Sequence, residues 1–353
     1  MKVAIFCPNW VGDLVMATAA MRAVRDRYPR AEIIGIMRPY LAEVLEGTGL
    51  IDRELYHDPR GTNPAHRGWA LSRQLRLEKI DLGLLFPNSF RTALIAWAGG
   101  IERRVGFARD ARRWFLTDAL KPKSRKTPHP VIDEYWRLAA HVGCRTAGGV
   151  AERRRTELAT SSHDERRFQR ILKRIGSPGE TNGIVCLNPG GAYGAAKHWP
   201  TSSFAELGRL IADKYQKQVV VLCGPAEQRQ AREIVRLSGH PLVVSLANEG
   251  ASLRLTKAAV RAADLLVTTD SGPRHFAAPF NVPVVTIFGP THIAWSETFY
   301  NKAVHLQLHV DCGPCQQRVC PLGHHRCMQE LRVDRVFEAV TKLLHDDARR
   351  AVA

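Results

Sequence analysis

Two short apolar runs with a polar turn between them constrain this chain more than any other feature. They are Leu265 to Val267 and Val282 to Phe288, and the turn is Thr268-Thr269-Asp270-Ser271-Gly272-Pro273-Arg274-His275. Both runs read as buried strands. Asp270 and Ser271 are N-cap residue types and Pro273 suits a first helical turn, so the expected unit is strand, polar turn, short helix, strand. Such a turn presents unpaired backbone N–H groups and a positive dipole end at the carboxyl edge of a parallel sheet. An anion, above all a diphosphate, is the expected guest. Gly272 permits close approach of a ligand to the backbone, and His275 can point toward the same anion. The same residues also fit an ordinary capped helix in an α/β domain.

The first half repeats the alternation. A strand over 2–8 is followed by a helix over 14–28, with Pro8-Asn9-Trp10-Val11-Gly12-Asp13 between them. Two readings are open for Asp13: an N-cap, or a general base at the mouth of a cleft with Gly12 letting substrate come near. Strand Glu32–Met37 precedes a helix near 40–47, strand Ile80–Phe86 precedes a helix over 90–98, and 133–142 is helical after a strand at 103–107. Pro87-Asn88-Ser89-Phe90-Arg91 closes a strand; Asn88 and Ser89 serve equally to cap the next helix or to hold sugar hydroxyls. Residues 58–68 are rich in turn formers and carry Arg60 and Arg67, which suit a mobile basic loop. Neither a G-x-G-x-x-G fingerprint nor a Walker sequence is present.

A charged, turn-rich stretch over 145–160 marks a boundary near residue 160. Beyond it, strands at 184–187, 218–222 and 242–246 alternate with helices at 202–215, 227–238 and 253–262. The loop Asn188 to Pro200 contains Gly190, Gly191, Gly194 and Lys197. Its backbone amides can face an oxyanion while Lys197 supplies a point charge. Glu227 fits either a ribose contact or a helix-start carboxylate. Both halves are doubly wound, as domains 1–160 and 161–330, with a C-terminal helical segment 331–353 expected to pack back on the first domain.

Charge narrows the partners. Among 353 residues, 51 basic against 34 acidic give a formal charge of +17, which favours anionic partners. Clusters at 103–104, 109–113, 121–126 and 153–155 read as solvated basic surface, because no aromatic-interleaved RNA motif or zinc-finger repeat accompanies them. The amino terminus runs straight into a strand, and no apolar run approaches the roughly 20 residues of a membrane helix. A cytoplasmic protein with mostly reduced cysteines is therefore expected. Cys312, Cys315, Cys320 and Cys327, with His324 and His325 among them, fit a structural zinc, reduced packing thiols or adventitious disulfides.

In order along the chain, Asn9-Trp10-Val11-Gly12-Asp13-Leu14, Pro87-Asn88-Ser89-Phe90, Asn188-Pro189-Gly190-Gly191, Lys197-His198-Trp199-Pro200, Thr269-Asp270-Ser271-Gly272, Phe288-Gly289-Pro290-Thr291 and the cysteine cluster resemble the motifs of one family. It is the ADP-heptose:lipopolysaccharide heptosyltransferases, glycosyltransferase family nine. The loop over 192–196 lacks the paired hydroxyl residues of the type I enzymes and favours the type II branch. The resemblance implies an α/β GT-B fold, two doubly wound Rossmann-like domains facing across a cleft, the first binding acceptor and the second donor. It implies inverting transfer of heptose from ADP-L-glycero-D-manno-heptose to a heptose of the lipopolysaccharide inner core. Asp13 is then the base, with Lys197, Asp270, Ser271, Gly272 and His275 on the diphosphate and Glu227 on the ribose. Asn9, Gly12, Asn88, Ser89, Gly190, Gly191 and Thr269 are further substrate-binding positions, and Arg60, Arg67 and Arg91 acceptor-binding ones. No cofactor and no metal are required. The implied partners are the ADP-heptose donor and a lipid-linked acidic core oligosaccharide, reached by peripheral contact with the cytoplasmic face of the inner membrane, with no nucleic acid. The alternatives are a relative using another nucleotide sugar or acceptor, and a basic nucleic-acid-binding protein.

Overall fold

The computed structural model describes residues 1–176, 181–191 and 193–352, with side chains described as far as His345. The strands are β1 (Lys2–Phe6), β2 (Glu32–Met37), β3 (Arg53–Tyr56), β4 (Leu82–Leu85), β5 (Arg103–Phe107), β6 (Asp118–Leu120), β7 (Ile184–Asn188), β8 (Gln218–Val221), β9 (Val243–Ser245), β10 (Leu265–Thr269), β11 (Val284–Phe288) and β12 (Ala303–Gln307). The α-helices are α1 (Val11–Arg27), α2 (Ala42–Leu45), α3 (Gly68–Glu78), α4 (Phe90–Ala98), α5 (Val131–His141), α6 (Gly149–Arg153), α7 (Ser162–Ile175), α8 (Thr201–Tyr215), α9 (Gln228–Ser238), α10 (Leu253–Arg261), α11 (Arg326–Gln329) and α12 (Val333–Val352).

The strands form two six-stranded sheets, ordered β3-β2-β1-β4-β5-β6 and β12-β11-β10-β7-β8-β9. Every pairing is parallel. Parallel strands must be joined by crossovers that cover both sheet faces, so the central ones are buried and read as unbroken apolar runs. Each sheet has the doubly wound order in which the chain first winds outward one way and then the other. The reversal falls between β1 and β4 in the first sheet and between β7 and β10 in the second, and the crevice beyond the strand ends there is where such folds bind ligands.

Contacts divide the chain into one compact unit of Met1–Ala159 with Ser296–Thr298 and another of Thr160–Trp295 with Phe299 onward. In the first, Ala4, Phe6, Ile34, Ile36 and Leu85 on one sheet face pack with Leu71 and Leu75 of α3 and Ala93 and Ile95 of α4. In the second, Val185, Leu187, Val219, Val267 and Ile287 pack with Phe204 and Leu207 of α8.

Val333, Val336, Val340 and Leu343 of α12 belong to the core of the second unit. Those positions recur at helical spacing, which lays one apolar stripe on that core. Among the described residues no helix is long and apolar enough to cross a membrane.

Candidate active site

In the first unit the site begins at the turn between β1 and α1. The helix starts at Val11, three residues earlier than expected, with Trp10 as its extended N-cap and no side-chain cap. Asp13 therefore lies inside the first turn and does not cap it. Its carboxylate accepts a 3.0 Å hydrogen bond from the hydroxyl of Tyr135 on α5. Burial, then the neighbouring Asp13 charge, raises the Tyr135 phenol well above its ordinary value, so it stays a donor. The Tyr135 ring packs 5.1 Å from that of Phe86, just past β4, which fixes the hydroxyl at the sheet reversal. Gly12 is buried beside Asp13, and Asn9 is exposed with its carbonyl accepting from the Tyr40 hydroxyl at 2.9 Å.

The loop after β4 is held by a residue that charge counting hides. Arg112, from a cluster expected to be solvated, has no exposed surface. It donates to the Phe107 carbonyl at 2.7 Å, to the Asn88 side-chain oxygen at 3.1 Å and to the Pro87 carbonyl. Burial lowers its guanidinium to about 10, still charged at neutral pH. Ser89 caps α4, accepting from the Thr92 N–H at 3.2 Å, and its hydroxyl lies 2.7 Å from that of Thr92.

Arg60, Arg67 and Arg91 are all solvent-exposed and sit on different segments. Arg91 alone adjoins a notable group. Burial, then the Arg91 charge, holds His57 below its ordinary value. The buried Nε2 of His57 and Nε of Arg38 have no hydrogen-bond partner. These two follow β3 and β2 at the carboxyl edge, and the sequence reading missed both. Beyond β6 a cavity of about 490 Å³ is lined by Lys121, Lys123, Thr127, His129 and Arg137 among others, and Lys121, Lys123, Arg125 and Lys126 are exposed as expected of a solvated basic cluster. Glu134, buried beneath it, accepts from Arg137 at 3.0 Å and lies 3.5 Å from the Lys123 ammonium.

In the second unit the reversal between β7 and β10 is stitched by side chains. The Asn188 amide donates to the Thr268 hydroxyl at 2.9 Å and to the Ser271 hydroxyl at 2.8 Å. Thr269 donates to the Gly190 carbonyl at 2.9 Å. A Cβ at Gly190 would come within 2.7 Å of the Glu227 side chain, which would then have to shift. Gly191 has only ordinary contacts, with Thr269 and Ser271. Glu227 accepts the Gly224 N–H at 3.0 Å, so this carboxylate serves a helix start.

The short helix expected after β10 is a 3₁₀ turn, Gly272–Phe276, with Ser271 as its N-cap but no side-chain cap from it. Pro279 lacks an N–H and its ring clashes with a carbonyl four residues back, so no α-helix begun here can run on through 279. Lys197 is buried in an ion pair, 2.5 Å from the Asp270 carboxylate and 2.9 Å from the Asp270 carbonyl. Asp270 also accepts from Thr291 at 2.7 Å, with Arg274 at 3.9 Å. Burial pushes that carboxyl up, but Lys197 and then Arg274 outweigh it and hold it at about 2. Asp270 is thus the anchor of two cations, which suits it poorly to touch a diphosphate itself. His275 is buried, and burial followed by the Arg274 charge lowers it to about 3.

The glycine-rich loop is tied down by the cysteine-rich segment. Tyr193 places its ring 4.5 Å from the Lys197 ammonium and donates to the Gln316 carbonyl at 2.6 Å. The His325 ring lies 2.7 Å from the Ala196 carbonyl, and Trp199 donates to the Leu331 carbonyl at 2.9 Å. The eight cysteines are unpaired, and among the described residues no group of three or more His, Cys, Asp or Glu is gathered closely enough to hold a metal. This segment thus braces the glycine-rich loop.

The net result is a parallel-sheet crevice with two buried cations against one carboxylate, and a second such crevice with a carboxylate held by a phenol. Residues 68–326 match the glycosyltransferase family 9 (heptosyltransferase) pattern. The chain belongs to that family. It is a glycosyltransferase. It is similar to lipooligosaccharide heptosyltransferase 2 of Campylobacter jejuni subsp. jejuni serotype O:6, 28% identical over 356 residues that cover 97% of this chain and 99% of that protein. Lipopolysaccharide heptosyltransferase 2 of Escherichia coli K12 is likewise 28% identical, over 98% of this chain and 99% of its own. The solved structure of E. coli ADP-heptose lps heptosyltransferase II shares the fold with a TM-score of 0.79 and 24% identity, covering 99% of this chain and 100% of that one. The fold is accordingly GT-B, as expected.

Proposed function

We propose that this glycosyltransferase is a type II heptosyltransferase. It moves L-glycero-D-manno-heptose from ADP-heptose to a heptose of the lipopolysaccharide inner core, with inversion. The observation that carries the reading is the pairing of chemistries on two reversed sheets. An oriented carboxylate stands at the first, and a cationic, glycine-lined turn at the second. The names and near-complete coverage of the relatives supply the sugar and the acceptor class.

In this reading the second unit binds the donor. Lys197 and Arg274, both anchored by Asp270, face the diphosphate, with neutral His275 and the backbone at Ser271 and Gly272 donating to it. Thr269, Gly190 and Gly191 shape the floor. The leaving diphosphate gains charge as the glycosidic bond breaks, and fixed cations in a buried setting stabilise that charge without reorganising. No metal is required for this.

The first unit binds the acceptor. Asp13 accepts the proton of the attacking hydroxyl while Tyr135 holds the carboxylate in place. The oxygen attacks the anomeric carbon on the face opposite ADP, so configuration inverts. General-base assistance of this kind is worth roughly 10²–10⁴ in rate. Arg38, His57 and Arg91, and the basic cavity around Lys123 and Arg137, are positioned for phosphates and carboxylates of the core. The acceptor is lipid-linked, so the enzyme works in peripheral contact with the cytoplasmic face of the inner membrane.

The test is direct. Purified protein, ADP-heptose and a truncated core acceptor ending in one heptose are expected to yield ADP and an acceptor one heptose heavier by mass spectrometry. No product, or product only with a different nucleotide sugar, would overturn the assignment.

A further inference from the structure

The strongest unexplained feature lies on the outer side of α3 and α4, meeting the first crevice only at Phe90 and Arg91. These helices cover one face of the first sheet. Leu71 and Leu75 of α3 and Ala93, Ile95 and Ala96 of α4 point into its core. Their other sides carry large apolar residues in water: Trp69 is 82% exposed, Leu77 83%, Phe90 43% and Trp97 53%. The adjoining 3₁₀ turn Arg112–Phe115 adds Trp114, at 87% exposure. The patch is continuous where ring contacts are recorded, with Phe115 edge-on to Phe90 at 5.2 Å and to Trp97 at 5.5 Å. Apolar surface of this extent marks an interaction site.

Charge decides which partner. The exposed charged residues of these three elements are Arg73, Arg76, Arg91 and Arg113. Their only carboxylate, Glu78, is turned to other work, accepting from Lys2 at 2.9 Å and from Arg53 at 2.7 and 2.9 Å. An interface between protein copies would bring arginine against arginine. Tryptophans beside four exposed arginines, which outnumber the exposed carboxylates Glu102 and Asp110 of the flanking loops, instead match the headgroup zone of an anionic bilayer. There the indoles sit at the polar boundary and the guanidiniums meet phosphates.

We propose that the α3–α4 face, with Trp69, Trp97 and Trp114 as its inserting side chains, docks this enzyme on an anionic lipid surface. This rests on the reading of the acceptor as lipid-linked. The face itself is distinct from the residues assigned to catalysis and to the donor.

The experiment is co-sedimentation of the full chain with phosphatidylcholine vesicles, with and without phosphatidylglycerol. The wild type is expected to bind the anionic vesicles. Arg73→Gln with Arg113→Gln is expected to weaken that binding by about fivefold per arginine. Trp97→Ser with Trp114→Ser is expected to abolish it. Both double variants are expected to keep a native circular dichroism spectrum and full transfer to a water-soluble, delipidated acceptor. Unchanged vesicle binding in the tryptophan variant overturns the proposal. So does a wild-type dimer in solution that this variant dissociates. If no variant and no wild type transfers heptose, the function reading fails while the vesicle result still decides the docking face.

Discussion

The buried Lys197–Asp270 pair makes the sharpest quantitative prediction. Lys197→Met keeps the length of the side chain and removes its charge, leaving the Asp270 carboxylate buried. Removing one member of a buried ion pair costs about 3–5 kcal/mol. Here Thr291 at 2.7 Å and Arg274 at 3.9 Å still serve the carboxylate, so the low end applies, about 3 kcal/mol. For a unit of this size that is a drop of roughly 6–12 °C in its melting transition. Asp270→Asn leaves the ammonium buried against a neutral amide and costs a similar amount. The double variant leaves no unpaired charge of this pair, so its loss falls short of the sum of the singles by about 2 kcal/mol. The same Lys197→Met change removes a charged donor from the donor site and weakens ADP by roughly 10- to 150-fold, from about 1.5–3 kcal/mol per charged hydrogen bond. Scanning calorimetry of the full chain and ADP titration calorimetry read both quantities. A single variant melting within a degree of wild type, strict additivity in the cycle, or unchanged ADP affinity would each refute the reasoning.

Other consequences follow from the same geometry. His275 is lowered to about 3 by burial and Arg274, against 6.5 in an unfolded chain, so the unfolded state binds the extra proton. Its contribution is full above pH 6.5 and is lost as pH falls toward 3, at up to about 1.4 kcal/mol per pH unit. Denaturant midpoints of His275→Gln are expected to show a shallower slope between pH 6.5 and 4 than wild type; an identical slope contradicts it. Arg112→Met leaves the Phe107 and Pro87 carbonyls and the Asn88 side chain without their donor, an expected loss of about 3 kcal/mol in the first unit, checked by denaturant unfolding. Tyr135→Phe deletes the donor to Asp13 while keeping the ring. It is expected to lower kcat about tenfold with ADP affinity unchanged, and an unaltered kcat removes the positioning role.

The interior of both sheets was legible because β1, β7, β10 and β11 are buried on both faces and so appear as unbroken apolar runs. The edges were not. β3 is Arg-Glu-Leu-Tyr, β6 Asp-Ala-Leu and β12 Ala-Val-His-Leu-Gln; each pairs on one side only, and its partly exposed residues carry no clear period. The ligand turns were visible as motifs, yet their electrostatics were not. Lys197 and Asp270 lie 73 residues apart, and only the adjacency of β7 and β10 brings them within 2.5 Å. Arg112 read as surface because arginine is usually solvated; its burial depends on carbonyls from Pro87 and Phe107 that nothing local announces. Pro279 did signal that a helix begun after β10 has to be short, whatever capping residues precede it.

The central claim concerns Asp13, and one measurement addresses it: the single-turnover rate of heptose transfer by Asp13→Asn beside wild type, at saturating donor and acceptor. The account expects a rate lower by roughly 10²–10⁴ with the dissociation constant for ADP unchanged. Transfer at the wild-type rate by Asp13→Asn would contradict it.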